Sequence, residues 1–127
     1  MPLRFRKHYT VEEARALLPQ IREWLTGIHE LRRRLKQLDG RIAHIIADGA
    51  DAGGEAVQTQ IKLLADLQSA LQEFQHREIQ IKDVDRGLID FPSIVGGKEV
   101  FLCWEQDEDD IEFWHDLDSG YAGREKL

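Results

Sequence analysis

The sequence predicts an α+β fold: a long antiparallel helical hairpin packed on a small four-stranded antiparallel β-meander. Three observations carry this. Apolar residues recur in steps of three and four from Val11 to Phe74. From Glu78 onward the apolar period falls to two. Gly and Pro then divide the second half into short segments. Period 3.6 marks a helix buried on one face, and period 2 marks a half-buried strand. A chain of 127 residues supports one core, so one domain is expected. Its parts are an N-terminal arm (1–9), the helical hairpin (10–77), the meander (78–118) and a C-terminal tail (119–127).

The first helix starts at a capping box, Thr10-Val11-Glu12-Glu13, in which side chains at the first and fourth positions bond each other's amides. Pro19 lacks the amide that would bond the Arg15 carbonyl, so a kink or break is expected at Leu18–Pro19. Beyond it, Trp24, Ile28, Leu31, Leu35, Leu38, Ile42 and Ile45 form a heptad seam. The helix should end near Asp48–Ala52. A second helix runs from about Glu55 to His76 and has two apolar rows. Ala56, Leu63, Leu67, Ala70 and Phe74 make one, and Val57, Ile61, Leu64 and Leu71 the other. Such a wide stripe predicts more than one neighbour.

Strands are expected at 78–83, 87–91 (stopped by Pro92), 98–105 and 111–117. Gly96-Gly97 suits a tight hairpin turn. Phe101 and Cys103 should share a face with Ile111, Phe113, His115 and Leu117. Val100, Leu102, Trp104 and Trp114 should take the other. The hairpin can cover one face. The other needs the arm, the tail or a second subunit.

Composition excludes several classes. The longest apolar run is the five residues Val100–Trp104, far short of a membrane span, and the N-terminus has no signal-peptide core. Cys103 is the sole cysteine, which rules out an internal disulfide and fits a cytoplasmic location. Net charge is −7 but polarised. Residues 1–41 hold ten Lys/Arg against five Asp/Glu, leaving −12 on residues 42–127. That acidic half argues against nucleic acid. Arg32-Arg33-Arg34 with Lys36 spreads around a helix rather than forming one patch, and is read as a solvated face or a match to the acidic half.

Tyr9-Thr10-Val11-Glu12-Glu13-Ala14 with Leu17-Leu18-Pro19 is distinctive. More so are Ile81-Lys82-Asp83, Gly87–Pro92, Leu102-Cys103-Trp104, Phe113-Trp114-His115 and Gly120-Tyr121-Ala122-Gly123-Arg124. Together these resemble the prokaryotic family of domain of unknown function 2203. The resemblance implies a compact cytosolic protein and carries no catalytic residue. Two places depart from the family pattern. Glu78 stands where a Gly often sits, and Asp107-Glu108-Asp109 where a Gly-Glu-Pro-like turn does.

The candidate polar residues are Asp83, Asp90, Cys103, Trp104, Glu108, His115 and Arg124. Thiolate, imidazole and carboxylate are metal-ligand chemistry, so Cys103, His115, Asp116 and Asp118, with Glu105 nearby, are candidate ligands. Cys103 and His115 have apolar neighbours, however, so both read first as core residues and no cofactor is expected. Asp83, Asp85 and Asp90 form a second acidic group, read as strand-end and turn caps. Arg124 is expected to fold back onto Asp83 or Asp90 as a latch, with Tyr121 against the tryptophans, or else to form an anion-binding lip. No serine has a nucleophile's context. The resulting expectation is a non-enzymatic interaction and assembly module. It would form a homodimer through Trp24, Ile28, Leu31, Leu35 and the Trp104/Trp114 face, with an unknown protein as a further partner. The alternatives are a metal-dependent enzyme or a metal- or anion-binding protein built on the meander, and a nucleic-acid binder using the first helix.

Overall fold

The computed structural model describes residues 2–49 and 53–127. Helix α1 spans Val11–Ala47 and α2 spans Gly53–Gln75; the part of the hairpin turn at residues 50–52 lies outside the described residues. Both halves of the predicted capping box form: the Thr10 hydroxyl accepts from the Glu13 amide, and the Glu13 carboxylate accepts from the Thr10 amide. Pro19 does not break α1. It lies on the exposed side, where the Arg15 carbonyl loses its intrahelical donor but keeps access to water.

The helices pack antiparallel. Trp24 meets Phe74 edge-on near the base, 5.5 Å between ring centroids. Leu35 and Leu38 meet Leu63 further out, and Ile42 and Ala56 join them near the tip. The α2 C-terminus is a Schellman turn. The Ile79 amide donates to the Phe74 carbonyl and the Glu78 amide to the Gln75 carbonyl, and Ile79 and Phe74 both enter the core.

Strands β1 (Gln80–Asp83), β2 (Leu88–Val95), β3 (Lys98–Glu105), β4 (Phe113–Asp116) and β5 (Glu125–Lys126) form one antiparallel sheet in chain order. The expected meander is therefore present, with the tail added as a fifth strand. Gly96 and Gly97 both take positive φ (59° and 78°) and close the β2–β3 hairpin. Pro92 was expected to stop β2, yet the strand runs on to Val95. By Pro92, β1 has already ended, and the N-terminal arm occupies that edge, with the Tyr9 amide donating to the Pro92 carbonyl at 2.7 Å. A strand residue turns its nitrogen and carbonyl to the same side, so the missing N–H falls at the edge and costs no ladder bond.

One sheet face carries Ile89, Phe91, Leu102 and Trp104, buried against Ala14, Leu18, Ile21, Leu25, Ile28 and Phe74. Ile111 joins this helix-facing core, contrary to the expectation that it would face the same way as Phe113. β4 begins only at Phe113, so the preceding loop is free to turn Ile111 inward. The other sheet face carries Asp90, Phe101, Cys103, Phe113 and His115, as the strand register requires.

Part of the charge polarity is met within the chain. Arg15 pairs with Asp110, Arg32 with Asp85, and Arg22 donates to the carbonyls of Gln106 and Glu108. The basic first helix thus meets the acidic half of its own chain. Among the described residues, no helix is long and apolar enough to cross a membrane.

Candidate functional site

The sheet face away from the helices is covered by the arm and the tail. Phe5 packs on Phe101, with centroids 5.4 Å apart, and the Arg4 and Phe5 amides donate to the Glu99 carboxylate. From the other end, the tail lays Arg124 over the ring of Phe113 at 4.1 Å. Gly123 allows the tight turn there, since a Cβ would lie 2.8 Å from the Ser119 Cβ.

Beneath this cover, Asp90 of β2, Cys103 of β3 and His115 of β4 converge. Each is at most 1 % exposed, and one potential ligand atom from each lies within 4.8 Å of the others. Asp90 and Cys103 are direct cross-strand partners. His115 Nε2 reaches across β3 to Asp90 Oδ2 at 2.9 Å, and Nδ1 lies 2.7 Å from the Asp116 carbonyl. A carbonyl only accepts, so Nδ1 carries a proton. One further proton therefore sits between Nε2 and Oδ2, and the pair is neutral overall. Among the described residues, Asp90 Oδ1 has no hydrogen-bond partner. An unsatisfied buried polar atom of this kind costs about 1–3 kcal/mol.

Burial pushes the Asp90 carboxyl above the ordinary value, opposed by His115. Burial, reinforced by the Asp90 charge, drives the Cys103 thiol up to about 12. Cys103 is therefore a thiol at neutral pH. It lacks the imidazole partner that would activate it, since both His115 nitrogens are engaged elsewhere. The geometry gives Cys103 no base within reach that would activate it as a nucleophile.

The other candidates separate from the cluster. Asp116 pairs with Lys98 at 2.7 Å and Asp118 with Arg4 at 3.2 Å, both at the surface. Glu105 pairs with Arg86. Asp83 accepts from the Arg86 amide, the turn-capping role. Trp104 is core, its indole N–H donating to the Glu108 carbonyl. Arg124 does latch the tail, but not to Asp83 or Asp90. It holds Glu108 through both carboxylate oxygens, at 3.0 and 3.1 Å. The β3–β4 loop brings Glu108 back over its own strand, where it also accepts from the Glu105 amide, while Asp90 is sealed below. Nor does Tyr121 meet the tryptophans, which lie on the opposite face. Its ring stands between the guanidiniums of Arg86 and Arg124, at 4.4 and 4.1 Å.

A second feature lies at the other end of the molecule. The sheet covers only the base of the hairpin. Towards the tip, Leu63 and Leu67 of α2 pack on α1, while Val57, Ile61 and Leu64 face solvent, 38 %, 61 % and 51 % exposed. The expected interface needs correction here. Ile28 and Trp104 are fully buried within the chain, and Leu35 nearly so, whereas the outer row of α2 is an open apolar row near the tip.

The family of uncharacterized conserved proteins DUF2203 matches residues 7–127. The chain belongs to this family. No curated protein and no solved structure matches it. The DUF2203 match begins within the arm and runs through the hairpin, the meander and the tail.

Proposed function

We propose that this protein is a cytoplasmic, non-enzymatic assembly module that pairs with a second copy of itself through the outer row of α2. One observation carries the reading: Val57, Ile61, Leu64, Gln68 and Leu71 repeat in steps of four and three along α2, with Val57, Ile61 and Leu64 exposed and Leu71 packed on the core at the base. That spacing is a second heptad seam, and its apolar members at the tip are open to solvent. The one polar member, Gln68, is of the kind that sets register in a coiled coil. The helix is also poor in charge. Between Gly53 and Gln75 only Glu55, Lys62, Asp66 and Glu73 are charged, whereas α1 carries twelve charged residues.

A second copy is the occupant this surface fits. Two hairpins joined along α2 make a four-helix bundle, which buries a seam that a two-helix tip leaves open. A twofold axis then pairs the row with itself, so no complementary surface is required elsewhere. The lone buried thiol suits a reducing compartment. Sedimentation of the full chain tests this. The wild type is expected to be a dimer at micromolar concentration. Ile61→Glu with Leu64→Glu is expected to give a monomer of unchanged helicity. A monomeric wild type, or a dimer indifferent to both substitutions, would overturn the reading.

A further inference from the structure

We propose that Asp90, Cys103 and His115 bind one divalent transition-metal ion of the zinc class, clasping β2, β3 and β4 on the face away from the helices. The donor set is the first argument. One thiol, one imidazole and one carboxylate, each from a different strand, bring their donor atoms within 4.8 Å of one another. Tetrahedral zinc holds such donors about 2.0–2.3 Å from the metal, so the three need to draw in by about 1 Å. Side-chain rotation alone supplies movements of that size.

The orientation of His115 is the second argument. Nδ1–H donates to the Asp116 carbonyl, which turns Nε2 towards Asp90 and Cys103. Metal-binding histidines are commonly fixed in this way, with one ring nitrogen donating to a carbonyl and the other left for the ion. The third argument is Asp90 Oδ1, buried and, among the described residues, without a hydrogen-bond partner; the Cys103 thiol beside this carboxyl is at most a weak donor. A cation beside it supplies what the protein does not. With Oδ1 and Oδ2 both facing the ion, three residues offer four donor atoms.

Charge balances as well. Binding displaces the thiol proton and the proton shared by His115 and Asp90, and releases both to solvent. The remaining thiolate, carboxylate and neutral imidazole then match a dication. Arg124 Nη1, 4.0 Å from the sulfur, is held by Glu108 and adds no net charge to the lid. The site is closed, with ligands at most 1 % exposed, so the ion ties strands together rather than meeting substrate.

The test uses cobalt(II) and zinc(II) as probes on the full chain, refolded from urea with the metal present so that the closed tail does not limit entry. The expected result is one cobalt per chain with a thiolate-to-cobalt charge-transfer band, bleached by zinc. A higher melting temperature should also appear, and chelation should reverse it. Cys103→Ser should lose the band, and Asp90→Asn should weaken binding tenfold or more. The wild-type spectrum decides the matter even if a variant fails to fold. Cobalt bound without a thiolate band reports surface carboxylates and overturns the proposal. So does a wild type that shows no band and no thermal shift.

Discussion

Glu78 holds two opposed energies that substitutions can separate. It is the residue after the cap of the α2 Schellman turn, with φ at 57°, the left-handed region where Gly is favoured. A side chain there costs about 1 kcal/mol relative to Gly. The Glu78 carboxylate offsets this by accepting the consecutive amides of Arg6 and Lys7, both at 2.9 Å, which pins the arm. Hydrogen bonds to a charged acceptor contribute about 1.5–3 kcal/mol when buried; at this half-exposed position about 1 kcal/mol each is reasonable. Glu78→Ala keeps the backbone cost and loses both bonds, so it should destabilise by about 2 kcal/mol. Glu78→Gly loses the bonds but relieves the backbone, for a net loss of about 1 kcal/mol. The expected order of stability is Glu, then Gly, then Ala. Urea denaturation of the three chains at neutral pH measures it, with the slope checked for constancy. If Ala matches Glu, the carboxylate does not hold the arm. If Ala equals or exceeds Gly, the left-handed backbone carries no cost and the reasoning fails.

Two further predictions concern the two covers of the sheet. Burial alone would raise Glu99, but the Arg4 amide, His8 and the Phe5 amide together hold it below its ordinary value of 4.5. Its stabilising share is therefore whole above pH 4.5 and is lost as pH falls below that through the folded value. Glu99→Gln should flatten the acid limb of a stability–pH profile in that window; an unchanged limb would assign the loss to other carboxylates. Arg124→Gln should cost about 1.5–3 kcal/mol through the Glu108 pair. It should also speed Cys103 alkylation in native buffer, and an unchanged alkylation rate would show that the tail does not cover the thiol.

Much of this architecture was legible because local rules agreed with the global fold. The capping box at Thr10, the change of period at Glu78 and the turn at Gly96-Gly97 each have a short-range cause, and each appears as expected. The errors arose where a distant segment decided the outcome. Pro92 was read as a stop because a sequence does not show which strand edge is open; the arm at Tyr9 settles that. Ile111 was assigned by counting along a strand that in fact begins two residues later. Arg124 was given partners by charge alone, whereas burial removes Asp90 and a loop returns Glu108.

The convergence of Asp90 with Cys103 and His115 was only half hidden. Counting back equally from the two-residue turn at Gly96-Gly97 pairs Asp90 with Cys103, so that contact lay within reach of the sequence. The sequence also placed His115 on the face of Cys103, as the register bears out; what it did not show is that Nε2 reaches across β3 to Asp90. The same contrast separates the two surfaces of this protein. The outer row of α2 shows in the sequence as a periodicity that its own chain leaves unburied at the tip. The unpartnered Asp90 oxygen of the other cluster shows only in three dimensions, below the guanidinium of Arg124 on Cys103. A row of apolar residues left open along a helix is a surface of a helix's size. An unpartnered oxygen on a residue at most 1 % exposed is closed to any large ligand. The two proposals thus rest on different parts of the molecule and on different ligands, so each can fail its test without touching the other.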